Sequence, residues 1–135
     1  MSELILAIDQ GTTSTTVLIM DNKQQVVAKA SFEFPQVYPK SGWVEHDAEV
    51  IWDSLQKAVK KALTVAKAKP KDLAAIGITN QRETTLVWDR RTGQAVHNAI
   101  VWQCRRTTEI SERLRRQGYE QMFINKTGLV LDPYF

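Results

Sequence analysis

The sequence predicts an α/β fold whose core is a mixed sheet in the order β-β-β-α-β, with a hairpin and two short helices after it. Three observations carry this. Residues 4–8 and 73–78 are near-continuous apolar runs, the pattern of strands buried on both faces. Between them Ile51, Leu55, Ala58, Val59, Ala62, Leu63 and Ala66 recur at helical spacing, with lysines on the opposite side, which predicts one long crossover helix. The first run leads at once into a polar reversal, Asp9-Gln10-Gly11-Thr12-Thr13-Ser14, and a second apolar run at 17–20.

Taken in order, residues 3–9 form the first strand and 15–21 the second, and Asp21-Asn22-Lys23 is a turn by composition. Residues 25–34 alternate, with Ala28, Ala30, Phe32 and Phe34 against the wetter Val27, Lys29 and Ser31. A loop follows over 35–43, with two prolines and Gly42. Asp47 is the expected N-cap of the long helix, with Glu49 in its first turn, and Pro70 is expected to end it. Residues 73–78 are then a doubly buried strand, followed by a polar stretch at 79–84. Residues 85–89 and 95–102 pair across Arg90-Arg91-Thr92-Gly93, where Gly93 suits a hairpin bulge. Residues 105–117 make a short helix with Glu109–Arg113 and Glu112–Arg116 pairs, and Gly118 stops it; a second covers 119–125. There is no repeat, low-complexity tract or linker.

Three meandering strands, a crossover helix and a fourth strand parallel to the first make the core of the ribonuclease-H-like, or actin-like, fold. Parallel first and fourth strands open their carboxyl ends on the same edge, the edge where such sheets place ligands. Residues 9–13 are thereby expected beside 80–84.

At 135 residues the chain is one domain or part of one, long enough for a single core. Its net charge of +3 comes from dispersed lysines and arginines on helix faces, without the interleaved aromatics of a single-strand binder, so no nucleic-acid partner is expected. The lone Cys104 excludes an internal disulfide framework and fits a reducing compartment. The N-terminal apolar run is too short, and too soon broken by Asp9, for a signal peptide or membrane span. A cytoplasmic location is expected.

The reversal at 9–16 crowds backbone N–H groups and hydroxyls beside a metal-capable acid, the equipment for holding a polyphosphate and its magnesium. An ordinary Gly-Thr hairpin has the same composition. Arg82-Glu83 pairs a guanidinium that donates to two oxygens with a carboxylate that accepts from hydroxyls. As a solvated ion pair it would be unremarked; its place after an apolar strand at the ligand edge points to a site. His46 is a poor metal ligand, since no Cys or second His lies at ligand spacing.

Several motifs together resemble the glycerol kinases of the FGGY carbohydrate kinase family. They are Asp9-Gln10-Gly11-Thr12-Thr13-Ser14, Gly42-Trp43-Val44-Glu45-His46-Asp47, Gly77-Ile78-Thr79-Asn80-Gln81-Arg82-Glu83-Thr84, Trp102-Gln103-Cys104-Arg105-Arg106-Thr107 and Thr127-Gly128-Leu129-Val130-Leu131-Asp132-Pro133-Tyr134-Phe135. The resemblance covers nearly the whole chain, in order. It implies ATP-dependent transfer of phosphate to glycerol, giving sn-glycerol 3-phosphate, by a larger enzyme with two actin-like domains. Residues 1–135 would be the N-terminal part of the first domain, inactive alone, with the general-base aspartate beyond Phe135, and the full enzyme a homo-oligomer.

By the same resemblance Thr12, Thr13, Ser14 and Thr16 meet the ATP phosphates and Asp9 holds magnesium through water. Arg82 and Glu83 bind the triol, Tyr134 adds a hydrogen bond, and Trp102 packs against the carbon skeleton. The Trp43–Asp47 loop is structural, with Asp47 capping the helix. Thr16 is a departure, since many glycerol kinases carry Arg there. The alternatives are another FGGY sugar kinase, acting on a pentulose or gluconate, and a non-catalytic actin-like binding module. A two-metal nuclease would need a carboxylate where the fourth strand ends in Asn80.

Overall fold

The computed structural model describes residues 3–135. In chain order its elements are β1 (Leu4–Gln10), β2 (Ser14–Met20), β3 (Val26–Glu33), β4 (Glu45–His46), α1 (Ala48–Ala66), β5 (Leu73–Asn80), β6 (Ala99–Ile100), α2 (Thr108–Arg116) and α3 (Glu120–Thr127). They gather into two compact units: one runs to Pro35 and resumes over Asp47–Gln81, the other comprises Gln36–His46 and Arg82–Phe135.

The first unit is the expected β-β-β-α-β core of the actin-like fold. Its sheet has the order β3-β2-β1-β5, with the first three strands antiparallel and β5 parallel to β1. Period-two alternation turns Leu4, Leu6 and Ile8, Val17 and Ile19, and Ala28 and Ala30 to one face, where α1 covers β2 and β3. Each Leu or Ile so buried contributes about 1.5–3 kcal/mol. The buried positions of α1 are small, Ser54, Ala58 and Ala62, which lets the helix lie close on the sheet. There the Thr15 and Ser54 hydroxyls bond at 2.7 Å, so neither is stranded in the core.

Asp47 caps α1 as expected, its Oδ1 accepting from the Glu49 N–H at 2.8 Å. The helix stops earlier than Pro70, however. Lys67 turns left-handed (φ 52°) and its N–H bonds back to the Leu63 and Thr64 carbonyls, so Pro70 opens a separate 3₁₀ turn at Pro70–Asp72.

The burial expected of β5 is corrected too. It is one of the two edge strands of the sheet, α1 lies over β2 and β3, and Ile76 and Ile78 are 60% and 73% exposed. An apolar run records a strand suited to burial on both faces; it does not supply the layers that would cover it.

In the second unit β4 pairs antiparallel with β6, and the expected hairpin forms through single bridges at Thr85–Ile100 and Trp88–Ala95, with Gly93 at φ 74°. Helix α2 is shorter than 105–117, and Glu112 pairs with Arg115 rather than Arg116. Arg115 also holds Glu120 at 3.0 Å and the Leu131 carbonyl at 2.7 Å, tying α2 to α3 and the C-terminal segment. Gly118 (φ 82°) separates the two helices.

Candidate functional site

The candidate nucleotide residues all lie in the first unit. Gln10 faces Thr15 across the β1–β2 ladder, so the chain reverses within Gly11–Ser14, closed by the Gly11 N–H on the Ser14 carbonyl at 2.9 Å. A Cβ on Gly11 would stand 3.1 Å from that carbonyl, so glycine is what allows the close approach. Neither threonine of the reversal takes a left-handed φ. Thr13 is exposed, and Thr12 and Ser14 are half-buried.

Asp9 sits one residue before Gln10 and is exposed. Its ladder partners are Thr16 on β2 and Thr79 on β5, and Thr16 in turn faces Ser31 on β3. Ser31, Thr16, Asp9 and Thr79 thus form one polar row across all four strands, on the face opposite the buried row of Ala30, Val17 and Ile8. The Thr16 hydroxyl is engaged there with Ser31 at 2.9 Å. The alternation of 25–34 carried the signal for Ser31, but the row itself exists only once the register is known.

The carboxyl ends of β1 and β5 lie level, as the topology requires: Gln10 registers with Asn80, and the Gln81 N–H donates to the Gln10 carbonyl at 2.8 Å. The buried Gln81 side chain donates to Gln10 Oε1 at 3.3 Å, and Gln10 Nε2 donates to the Gly11 carbonyl at 2.8 Å. Two glutamines therefore brace the reversal from the strand beside it.

Arg82, Glu83, Trp102 and Tyr134 all belong to the second unit, and their segments meet there. Thr84, next to Glu83, accepts the Trp102 N–H on its hydroxyl at 3.3 Å. The Trp102 and Tyr134 rings meet edge-on with centroids 5.2 Å apart. Arg105 holds both Asp132 oxygens, at 2.8 and 3.2 Å, and Asp132 Oδ1 accepts the Tyr134 N–H at 2.9 Å, fixing the tyrosine. The Arg105 guanidinium, then that N–H, holds the Asp132 carboxyl below its usual range. Arg82 and Glu83 are exposed, and Glu83 has a left-handed backbone (φ 63°) that non-glycine residues seldom adopt.

A second ionic cluster joins the 43–45 and 98–106 segments. Glu45, 3% exposed, accepts from Arg106 Nη2 at 2.6 Å and Asn98 Nδ2 at 3.0 Å. Arg106 Nε donates to Cys104 Sγ at 2.9 Å, and its guanidinium stacks 3.9 Å over the Trp43 ring. The Arg106 bond holds the Glu45 carboxyl low against the opposing effect of burial. Burial would raise the Cys104 thiol, but the Arg106 guanidinium and neighbouring backbone bonds more than offset it. No local pattern announces this cluster, because Glu45 and Arg106 are 61 residues apart.

Among the described residues no three His, Cys, Asp or Glu side chains group to cage a metal. A lone exposed carboxylate beside hydroxyls fits a hydrated magnesium shared with phosphate oxygens, an ion that keeps most of its waters. No helix among the described residues is long and apolar enough to cross a membrane.

A family model of the N-terminal domain of the FGGY carbohydrate kinases matches residues 4–135. The chain belongs to the FGGY family of carbohydrate kinases. Among curated relatives of this FGGY chain, glycerol kinase 2 of Thermotoga maritima is 55% identical over 97% of it, and the glycerol kinase of Sinorhizobium fredii 56% identical over all of it. The chain spans about a quarter of the length of these relatives, 26% and 27%. A Plasmodium falciparum glycerol kinase solved with ADP superposes with a TM-score of 0.88 at 34% identity, over 99% of this chain and 27% of that one. A gluconate kinase from Lactobacillus acidophilus gives 0.89 at 25%, over 99% and 26%. The actin-like core is therefore common to family members acting on different polyols, whereas sequence identity favours the glycerol kinases.

Proposed function

We propose that this FGGY chain is the N-terminal part of the first domain of a cytoplasmic, homo-oligomeric glycerol kinase, which transfers the γ-phosphoryl group of ATP to a terminal hydroxyl of glycerol. The observation that carries the reading is the tied group of Thr84, Trp102 and Tyr134 at 3.3 and 5.2 Å, which supports a polyol face beside Arg82 and Glu83. Arg82 donates to adjacent glycerol hydroxyls and Glu83 accepts from them, while Tyr134 adds a phenol and Trp102 an apolar wall for the carbon skeleton. Thr12, Thr13, Ser14 and Thr16 donate to nucleotide phosphates, and Asp9 holds magnesium through water. Magnesium bound with the nucleotide neutralises phosphate charge. Catalysis rests on positioning, and the general base and the second domain lie outside these residues.

The test is a graft: the matching segment of the Sinorhizobium fredii glycerol kinase replaced by this chain. The graft is expected to phosphorylate glycerol in preference to gluconate or pentuloses, and the 135-residue chain alone to show no turnover. Arg82→Ala in the graft should lower kcat/KM for glycerol about ten-fold or more, roughly 1.4 kcal/mol, for a lost charged two-point contact. A folded graft without activity, or with unchanged kinetics in Arg82→Ala, overturns the reading.

A further inference from the structure

We propose that the Glu45–Arg106 ion pair is a positioning device that sets where Trp102 presents its ring. This rests on the reading of Trp102 as a polyol contact. Trp102 and Gln103 are the two central residues of a turn closed by the Cys104 N–H on the Val101 carbonyl at 2.8 Å. Both feet of the turn are fixed to the 42–46 segment: the Val101 N–H donates to the Val44 carbonyl at 3.1 Å, and the Arg105 N–H to the Gly42 carbonyl at 2.7 Å. Below them Ala99 and Ile100 pair with His46 and Glu45. The backbone of Trp102 itself is held from elsewhere, by Thr84.

Arg106 completes the frame from the side. Its Nε reaches Cys104, the last residue of the turn, and its Nη2 reaches Glu45, while Trp43 covers the face of the guanidinium. One planar fork thus spans the turn and the segment beneath it in a single geometry. Asn98 takes the second Glu45 oxygen at 3.0 Å, so the carboxylate is fixed at both ends. A buried ion pair is a poor device for raw stability, because desolvation offsets much of its attraction. What the fork supplies is direction, and the turn it directs is the one that carries Trp102. A lysine or a neutral acceptor could replace part of the bonding without reproducing the angle.

Two variants test this, Glu45→Gln and Arg106→Lys, each in the 135-residue chain and in the graft. In the isotopically labelled chain, the Trp102 indole N–H resonance is expected to move and the Trp102–Tyr134 ring cross-relaxation to weaken, while amides of β1 and β2 stay in place. In the graft, the glycerol KM is expected to rise about ten-fold with kcat and the KM for ATP little changed, and Glu45→Asp to recover part of it. Damage that was merely structural would lower the active fraction, and so kcat, at an unchanged KM. If whichever variant folds keeps both the ring contact and the glycerol KM, the positioning role is overturned. Trp102→Ala separates the two readings: an unchanged glycerol KM there removes Trp102 from the polyol face, and the ring contact alone then decides the role of the ion pair.

Discussion

Glu83 holds a left-handed backbone, φ 63°, at a position the sequence marks for substrate. For a residue with a Cβ that conformation costs on the order of 1 kcal/mol, which glycine avoids. Glu83→Gly is therefore expected to leave the isolated chain at least as stable, by up to about 1 kcal/mol in urea unfolding, while the graft loses ten-fold or more in kcat/KM for glycerol. A clear loss of stability would mean that the Glu83 side chain holds the fold and the backbone is not strained. His46 makes a separate, pH-dependent prediction. It is fully buried, and burial depresses its pKa below the ordinary 6.5. Between the depressed value and 6.5 the unfolded chain binds the extra proton, so this stability is present above about pH 6.5 and is lost as the pH falls. The urea midpoint should drop from pH 7.5 to 5.5, and His46→Gln should flatten that slope. The carboxylates held low, Glu45 and Asp132, lose their contributions only further into acid, below their ordinary 4.5 and 3.8.

At the scale of elements, local chemistry made β1, β2, β3 and α1 legible, because alternation, helical period and an Asp cap each act within a few residues. The end of α1 was not legible. Helices that finish left-handed favour glycine, and Lys67 gives no such signal, whereas Pro70 gives a strong but later one. Lys67→Gly is accordingly expected to raise the stability of the chain by about 0.5–1 kcal/mol, read as a higher urea midpoint. A lower midpoint would show that the lysine side chain contributes more than the strained φ costs. The short α2 also escaped its sequence: its charged residues suit a helix, but Arg115 joins its local partner Glu112 to Glu120 and the Leu131 carbonyl outside the helix, which periodicity cannot see.

At the scale of the whole molecule, the element order β-β-β-α-β matched the actin-like core, in which the fourth strand lies parallel to the first, and that likeness is what made the level ends of β1 and β5 foreseeable. The division into two units was out of reach, because it depends on Glu45–Ile100 and Glu45–Arg106, pairings between segments that share no local pattern. The residues proposed for phosphate fall in one unit, and those proposed for the polyol fall in the other. The two edges of the sheet differ in kind. The outer strand β3 carries Lys29 and Glu33, charges that discourage pairing with another sheet, whereas β5 reads Leu-Ala-Ala-Ile-Gly-Ile-Thr-Asn, without a charge or a proline. Strand β5 lies at the end of the strand order, and its Ile76 and Ile78 side chains are exposed. Such an edge is a template for strand addition, and the isolated chain should self-associate as its concentration rises. Sedimentation velocity should show the shift to larger species, and Ile78→Lys, which puts a charge on that edge, should return the chain to monomer. A wild-type chain that stays monomeric at the highest soluble concentration would show that the bare edge of β5 is not adhesive.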